Sequence, residues 1–313
     1  MSATRNQHQH DIVMKTRKNG ILRPAAFLGA ILATLLQAAN AQSDPLFRWD
    51  FNNNTDVSTA NHGTASGGAI TMVAHGGTNT AYFSADGAGR SGQSGDHAFD
   101  LTSSTGMGAT APNSTGPAGV IWSSDSSLQS LSGLTSFTLT GWINPATTLN
   151  NAARIISSST LTLMAGSANQ LALQVNGTSV YSSTAYTSVN SWMFFAVTYD
   201  STTDIDNVVF YVGTDPAGTL SKAGTATLDA GALNTFTGQL LLGNNSTSGD
   251  TTRPFQGMMD DIAIYGATGG AAGALSEQQL NLIFNPSGIP EPSTWALLLG
   301  GATLVLAIIR RRK

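Results

Sequence analysis

The chain has 313 residues, with 14 Lys or Arg, 18 Asp or Glu and no cysteine. The absence of thiols excludes disulfide bonds, thiolate metal sites and a cysteine nucleophile, so a folded domain must be stabilised by a hydrophobic core. Nine of the basic residues and two of the acidic ones lie in the end segments 1–41 and 289–313, which leaves the body with five bases, 16 acids and a net charge of about −11. Such a body repels phosphate backbones, which argues against a nucleic-acid partner and favours neutral sugars or divalent cations.

The amino-terminal segment is typical of a signal peptide. Four basic side chains precede a mostly apolar run over residues 24–39, and Ala39 and Ala41 form an A-x-A cleavage site. A basic region, an apolar region and a small-residue cleavage site follow one another in the order of a secretory leader. We therefore predict export, with cleavage after Ala41. Met14 opens a leader of more ordinary length than Met1 does, and the sequence leaves the start of translation open between them.

The carboxyl-terminal segment predicts a membrane-spanning helix. Residues 294–309 carry no charge and are mostly apolar, and four consecutive basic residues follow them at the chain end. A helix of this length spans about 24 Å, slightly less than the ~30 Å hydrocarbon core of a bilayer. The positive-inside rule places the basic cluster in the cytoplasm and the body outside. A permanent tail anchor is the main alternative, whereas a buried core helix would not end in four bases.

A proline-bracketed glutamate, Pro290-Glu291-Pro292, stands just before this helix. The tripeptide, the helix and the terminal arginines together resemble the PEP-CTERM sorting signal of Gram-negative bacteria. In that family an exosortase, a membrane-embedded cysteine protease, recognises the signal and is thought to remove the helix. The prolines keep Pro290, Glu291 and Pro292 extended and non-helical, which suits recognition beside a membrane. The resemblance implies exosortase as a processing partner, a transient inner-membrane stage, and a final location at the cell surface, outer membrane or extracellular matrix.

The body, residues 42–288, is predicted to be a single all-β domain. Short β-branched and aromatic runs alternate with clusters of Gly, Ser, Thr, Asn and Asp, which is typical of strands and turns. One helix is predicted over Glu277–Phe284 with Ser276 as its cap, and residues 103–119 and 266–274 are predicted to be a long loop and a flexible connection. The predicted strands are 46–51, 69–74, 81–84, 136–143, 154–158, 160–164, 170–175, 179–181, 192–199, 207–213, 238–243 and 258–265.

Four motifs follow one another in the body: SFTLTGWI at 136–143, SWMFFAVTYD at 191–200, FQGMMDDIAIY at 255–265 and LSEQQL at 275–280. The series resembles the laminin-G-like, concanavalin A-type jelly roll. The resemblance implies a two-sheet antiparallel jelly-roll sandwich with one short C-terminal helix, to which the transmembrane sorting helix is added. Residues 266–274 are an insertion relative to that pattern, which leaves the docking of the closing helix open.

No catalytic constellation is predicted. Many enzymes of this fold class hydrolyse glycosides with two glutamates on one strand, but Glu occurs in this chain only as Glu277 and Glu291. Asp260 and Asp261 are neighbours, so in a regular strand they point to opposite faces. The three histidines of the body lack the H-E-x-x-H spacing, and no G-x-S-x-G motif occurs. We therefore predict a non-enzymatic protein.

Binding is the stronger functional class, with extracellular polysaccharide or a surface protein as the partner. Jelly rolls of this type present aromatic platforms and polar side chains to sugars or proteins. Trp142 and Trp192 lie within hydrophobic alternation, which predicts core packing, whereas Trp122 is predicted to be more exposed. Tyr181 and Tyr186 are the remaining aromatic candidates, and no ligand-binding residue is assigned. A carbohydrate-active enzyme of the same fold and a passive structural matrix component remain alternatives.

Structural calcium is common in the laminin-G-like family, often where an early strand meets the last one. Asp50 and Asp260 match those two places, which makes them candidate metal ligands, and Asp96 is a third acid in a glycine-rich turn. Calcium needs six to eight oxygen ligands, of which these residues supply a minority. The alternative is that Asp50 and Asp96 are turn residues and that Asp260 pairs with a base or with backbone amides.

Overall fold

The structure is a computed structural model that describes residues 44–52, 57–74, 82–104, 115–146, 152–165, 170–183, 189–246 and 253–286. The predicted signal peptide, the tripeptide at 290–292 and the predicted helix at 294–309 lie outside these residues. Within the described ranges, no helix is both long and apolar enough to cross a bilayer.

The described chain folds into two antiparallel sheets. The strands in chain order are β1 (Phe47–Trp49), β2 (Ser58–Thr59), β3 (Ile70–Val73), β4 (Phe99–Asp100), β5 (Ala118–Ile121), β6 (Ser136–Pro145), β7 (Arg154–Ser157), β8 (Leu161–Ala165), β9 (Leu171–Val175), β10 (Thr178–Tyr181), β11 (Met193–Asp200), β12 (Val208–Gly213), β13 (Ser221–Ala226), β14 (Leu240–Leu242) and β15 (Gly257–Ala267). The first sheet has the order β1-β15-β6-β11-β12-β13 with β4 also paired to β15, and the second has the order β10-β9-β8-β7-β14-β5-β3-β2. This antiparallel sandwich fits the predicted jelly roll.

The main core lies between the two sheets. On β6, Phe137, Leu139 and Ile143 alternate with outward residues and are fully buried, and they share one apolar cluster with β8 and β9 of the other sheet. Gly141 continues the inward series because a Cβ there would lie 2.4 Å from Ile262 Cδ1. Each large apolar side chain buried in this way contributes about 1.5–3 kcal/mol. The alternation predicted for this strand is therefore confirmed.

A second, smaller cluster covers the outer face of the first sheet. Helix α1 (Glu277–Phe284) begins at Ser276, whose side chain accepts from Gln279 N–H while the Gln279 side chain accepts from Ser276 N–H. This reciprocal capping satisfies amides at the helix start. Leu280 and Phe284 are fully buried against Trp142 and its neighbours on the sheet. The predicted helix and cap are confirmed, and the helix docks on the sheet despite the preceding insertion.

Hydrogen bonds hold the connection between β15 and α1 against β6. The Ser136 hydroxyl donates to Gly270 O at 2.8 Å and accepts from Gly273 N–H at 2.9 Å. One strand position further, the Thr138 hydroxyl donates to Gly273 O at 2.7 Å and accepts from Leu275 N–H at 2.9 Å. The prediction of a flexible connection is therefore wrong for this segment, because outward-facing hydroxyl groups of β6 supply partners to its backbone.

Four strands were not predicted from the sequence, namely β2, β4, β5 and β13. β5 begins inside the stretch that predicted a loop, and all four of its residues are buried. A Cβ on its Gly119 would lie 2.7 Å from Ile70 Cγ2, so the strand depends on a residue that ordinarily weakens strands. β13 is an edge strand with a register shift opposite Phe210 and Tyr211, and its Ser, Lys, Ala, Gly and Thr residues show no alternation.

Candidate ligand-binding pocket

A bulge in β15 arranges the two neighbouring aspartates. Asp260 lies opposite Trp142 and Ala263 lies opposite Thr140, so three steps along β15 match two along β6. Asp261 takes the extra position with a φ of 47°. Bulges bend a strand and redirect its side chains. As a result, Asp260 and Asp261 both contact residues of the outer face, instead of pointing to opposite faces as a regular strand predicts.

Asp260 is almost completely buried and fixes the loop that carries Arg90. Its Oδ2 accepts from Arg90 N–H at 2.8 Å, and its Oδ1 accepts from Asp261 N–H at 2.7 Å. Burial, reinforced by the negative charge of Asp261 and then of Asp96, raises the pKa of Asp260 to about 8. Burial thus disfavours the ionised form of this carboxyl group, while its two backbone hydrogen bonds hold the Arg90 loop against β15.

Asp260 lies on β15, and Asp50 directly follows β1, the strand that was predicted to meet the last one. β1 pairs with β15 with Trp49 opposite Ile262, so Asp50 follows at the level of the bulge. Asp50 Oδ1 lies 3.5 Å from His62 Nε2 and also accepts from Asn52 N–H. Asp96 Oδ2 accepts from Ser91 N–H at 2.6 Å, in the turn where it was predicted.

The fit of this region to calcium is poor in the arrangement described. Both oxygens of Asp260 accept backbone hydrogen bonds, and its raised pKa disfavours the ionised form that a cation needs. In the part of the chain that the structure describes, no group of three or more His, Cys, Asp or Glu side chains could hold a metal ion. The calcium site at Asp50 and Asp260 stays a prediction.

A pocket of about 440 Å³ opens beside the bulge, on the outer face of the first sheet. Its floor is a row of paired residues in which Arg48, Ala263 and Thr140 lie opposite one another on three adjacent strands. Ala263, Trp142 and Tyr265 are all buried in the cluster that α1 covers. The lining residues are Asp44, Pro45, Arg48, His62, Arg90, Thr140, Trp142, Phe194, Asp261, Ala263, Tyr265, Leu282, Ile283 and Pro286.

Arg48, Asp261 and Arg90, three of the charged groups of the pocket, each have a partner. Arg48 Nη2 lies 3.1 Å from Asp261 Oδ1, and both side chains are partly exposed. Burial alone would lower the pKa of Arg48, but the charge of Asp261 and the hydrogen bond to it raise that pKa above its usual value. The Arg90 guanidinium lies 4.4 Å from the centre of the Trp142 ring, a cation–π distance, and its Nη2 donates to Phe284 O.

Thr140 is the polar residue of the floor. It is 1% exposed, and among the described residues its Oγ1 has no hydrogen-bond partner. Leaving a hydroxyl buried in this way costs about 1–3 kcal/mol, and the Thr140 Oγ1 atom has almost no solvent-accessible surface. Sequence alternation alone places Thr140 on the same face as Trp142, but it does not show which residues cover it. For these reasons the sequence did not single out Thr140, Arg48, Arg90 or His62.

The predicted aromatic candidates separate into buried and exposed residues. Trp142 is 2% exposed and Trp192 is half-buried against the same cluster, which confirms the packing role. Trp122 and Tyr181 are 44% and 49% exposed, so the prediction for Trp122 is also confirmed. Tyr186 lies outside the described residues.

Comparisons with known proteins bear on the fold. No curated protein sequence matches the chain. Among solved structures, domain 4 of the GH43 extracellular arabinanase AbnA from Geobacillus stearothermophilus, in complex with arabinotriose, is 14% identical. The match covers 77% of this chain and 98% of that chain with a TM-score of 0.49. The botulinum neurotoxin serotype C1 binding domain is 13% identical over 79% of this chain and 52% of that chain, with a TM-score of 0.48. A putative carbohydrate binding protein from Bacteroides ovatus is 22% identical over 50% and 42%, with a TM-score of 0.37.

These TM-scores are below 0.5, so the fold assignment rests on the strand pairing and on the family model. Residues 118–272 match a laminin-G model of the concanavalin A-like lectin/glucanases superfamily. The matched region contains every strand from β5 to β15, including the bulge and most of the pocket floor. Residues 118–272 are therefore similar to that superfamily, and the two-sheet antiparallel sandwich fits its jelly roll.

Proposed function

We propose that the chain is an exported, exosortase-sorted protein of the cell surface or extracellular matrix whose concanavalin A-like domain binds carbohydrate without catalysis. The observation that carries the binding proposal is the match of residues 118–272 to a superfamily of lectins and glucanases. Lectins bind sugars, whereas glucanases hydrolyse them. The positions of the acidic residues therefore decide which of the two activities to propose.

The acidic residues favour binding over hydrolysis. Glycoside hydrolysis ordinarily needs two carboxyl groups that flank the bond to be broken. Glu277 lies in the first turn of α1, and Asp261 is paired with Arg48. Asp260 has the raised pKa of an acid catalyst, but it does not belong to the pocket lining, and backbone amides hold both of its oxygens. A carbohydrate-active enzyme of the same fold is the second candidate because the matched superfamily also contains glucanases.

A glycan array tests the binding proposal. Full-length protein in detergent, incubated on neutral and acidic glycans, is expected to bind a restricted set of sugars. Incubation with the bound glycans, followed by mass spectrometry of the products, is expected to return them uncleaved. Cleavage of the glycans that is lost in an Asp260→Asn variant would show instead that the protein is a carbohydrate-active enzyme. A lack of binding to every glycan would leave a protein ligand or a passive structural role as the explanation of the fold.

The sorting proposal rests on the sequence of the two ends. Export follows from the A-x-A site at Ala39 and Ala41, and processing follows from Pro290, Glu291 and Pro292 in front of an apolar segment. Mass spectrometry of protein recovered from the cell surface is expected to lack residues 294–309. Recovery of an intact Lys313 from matrix material would refute removal of the helix.

A structural calcium ion is a further proposal. It rests on the pairing of β1, which Asp50 follows, with β15, which contains Asp260. The hydrogen bonds that already engage Asp260 oppose it. An ion that binds only the folded form stabilises it by about 2.7 kcal/mol at a hundredfold excess over Kd. The protein is therefore expected to melt several degrees higher in calcium than in chelator, and Asp260→Asn is expected to lose most of that increment. Identical melting temperatures in both buffers would contradict the proposal that the protein binds calcium.

A further inference from the structure

We propose that Arg154 and Arg253, at the outer face of the second sheet, bind the carboxylate of one acidic sugar unit in an otherwise neutral glycan. The inference rests on the proposed carbohydrate-binding function and adds the charge class of the ligand and the place where it binds. It follows from the positions of the two arginines, from the groups around them and from the charge of the rest of the body.

The two arginines belong to separate segments that a backbone hydrogen bond joins. Arg154 is the first residue of β7, and its N–H donates to Arg253 O at 3.0 Å. Arg253 precedes β15, and its own N–H donates to Asn244 Oδ1 at 3.0 Å and to Asn245 Oδ1 at 2.8 Å. Asn244 is fully buried, and its Nδ2 donates to Gly116 O. The backbone of the pair is therefore fixed before a ligand binds, which lowers the entropic cost of binding.

The Arg154 side chain lies on the outer face of the second sheet, among uncharged groups. Its strand partner Met164 is outside the core cluster that contains the next residue on that strand, Leu163. Arg154 Nη1 donates to Ala152 O and contacts Met164 Sδ, and Nε has no partner in the described ranges. Both Arg154 and Arg253 are partly exposed, so solvent and ligands reach this pair.

The pair carries a positive charge that no described acid balances. The ion pairs found within the described ranges involve neither Arg154 nor Arg253. Burial, and then the positive charge of Arg253, lowers the pKa of Arg154 to about 10, so Arg154 stays protonated at neutral pH. Two of the five bases of a body with 16 acids are thus placed together. An anion between them would relieve their repulsion, and a carboxylate accepts two parallel hydrogen bonds from one guanidinium group.

The net charge of the body restricts which anion can bind. At about −11, the body repels a polymer that carries a negative charge on every unit. Exposed charges are screened beyond about 8 Å at physiological ionic strength, so the two arginines dominate only in their own surroundings. A single carboxylate on an otherwise neutral glycan satisfies both conditions. The preference for neutral partners that the net charge predicts therefore holds for the body as a whole but not at this pair.

Calorimetric titration of full-length protein in detergent tests the inference. The probes are methyl glucuronide, the methyl ester of the same glycoside, which differs in charge, and sodium acetate, which lacks the sugar. We expect the glucuronide to bind at least tenfold more tightly than its ester and than acetate, and to bind more weakly in high salt. Arg154→Gln and Arg253→Gln are each expected to weaken glucuronide binding at least tenfold. Arg154→Lys keeps the charge and loses the planar fork, so its affinity should lie between those of wild type and Arg154→Gln.

A second readout is independent of the sugar. Because Arg253→Gln removes one of two like charges, the variant without ligand is expected to melt at or above the wild-type temperature. Lys222→Gln is the matched control, since it removes the same charge at an exposed position on the edge of the first sheet, and it should keep wild-type affinity. A weakening by Lys222→Gln equal to that by Arg253→Gln would mean that only the net charge matters, and the pair would not be the site.

The remaining outcomes separate this inference from the proposed function. If the ester binds as tightly as the glucuronide, or if folded Arg154→Gln and Arg253→Gln both keep wild-type affinity, the inference is wrong while the carbohydrate-binding function stands. The same holds if glycans on the array bind and the glucuronide does not. If acetate binds as tightly as the glucuronide, the pair is a general anion site and the assignment to a sugar is wrong. If neither glycoside nor any glycan on the array binds, both proposals fail.

Discussion

The outer face of the first sheet has two halves that are built from the same strands and satisfy their polar side chains differently. In the closed half, formed by Ser136 and Thr138 with the connection before α1, every threonine or serine hydroxyl of β6 bonds to backbone groups. In the open half, around Thr140 and Ala263, the cover consists of apolar residues of α1 and the Arg90 guanidinium.

The difference comes from the backbone hydrogen-bonding groups that each covering segment presents to the sheet. The connection before α1 has irregular backbone, whose free N–H and C=O groups need partners and find them in the β6 hydroxyls. α1 makes its own backbone hydrogen bonds, so it presents only side chains to the sheet. The same Thr-x-Thr pattern therefore satisfies its hydroxyl under a loop, whereas under a helix the Thr140 hydroxyl has no partner among the described residues.

The largest expected effect concerns the cover of the open half. Phe284 is fully buried, with its ring 5.6 Å from that of Trp142 and 5.4 Å from that of Phe194. Phe284→Ala is expected to lower the free energy of unfolding by about 3–5 kcal/mol, because a large side chain leaves a cavity between two packed elements. Urea denaturation measures the loss. Ile283→Ala, at a half-buried neighbouring position, is the control and should cost clearly less. A loss below about 1 kcal/mol for Phe284→Ala would mean that α1 is not docked on the sheet.

The next prediction compares the two threonines directly. Thr138→Val leaves Gly273 O and Leu275 N–H without their partner, so it is expected to cost about 2–3 kcal/mol. Thr140→Val removes a hydroxyl that the described residues do not satisfy, so its stability is expected to stay within about 1 kcal/mol of wild type. Both are the same chemical change on the same strand and face, which makes each the control of the other. Equal losses of stability in urea would contradict the division into halves.

A third prediction concerns the pH dependence of the stability that Asp260 contributes to the fold. The pKa of Asp260 is raised from 3.8 to about 8 in the folded chain, so the folded form holds a proton that the unfolded form releases. Its contribution to stability is therefore complete below pH 3.8 and is lost as the pH rises toward 8. We expect the stability of wild type relative to Asp260→Asn to fall by up to about 1.4 kcal/mol per pH unit between pH 5 and 7.

Asp125 supplies the comparison of opposite sign. Burial acts to raise its pKa, but hydrogen bonds from Ser127 and Gly68 N–H groups lower it overall. The stability that Asp125 contributes is present above its unfolded pKa and is lost on acidification, so the difference between wild type and Asp125→Asn should shrink below about pH 4. A flat difference between wild type and Asp260→Asn from pH 5 to 7 would show that Asp260 is ionised in the fold.

The sequence predicted the closed half and the sandwich better than the pocket. Alternation at 136–143 and the Ser276 cap are local patterns, and both are confirmed by β6 and α1. The meeting of β1 and β15 was predicted from the resemblance and is present in the register. Each of these features depends on residue periodicity or on a motif with a fixed order.

The pocket depends on relations that periodicity does not contain. The bulge at Asp261 inserts one residue into β15, and no local pattern distinguishes it from a regular strand. The approach of Arg90 to Trp142 joins residues 52 positions apart through a loop rich in glycine. The strand β5 was missed for a related reason, since Ala118 and Gly119 are buried by their neighbours and not by their own hydrophobicity.

The smallest expected effect concerns the ion pair at the edge of the open half. The side chains of Arg48 and Asp261 are 48% and 32% exposed, and exposed pairs of this kind contribute about 0–1 kcal/mol. Arg48→Ala is expected to lower the unfolding free energy by no more than about 0.5–1 kcal/mol, and by less in 0.5 M salt, where screening weakens the pair. Thermal melts at low and high salt measure the effect, and Lys222→Ala, an exposed cation at the far edge of the same sheet, is the control. A loss of unfolding free energy above about 2 kcal/mol that does not change with salt would indicate that the pair behaves as a buried ion pair. A small, salt-sensitive loss would mean that the pair behaves as an ordinary exposed ion pair and that the fold does not depend on Arg48.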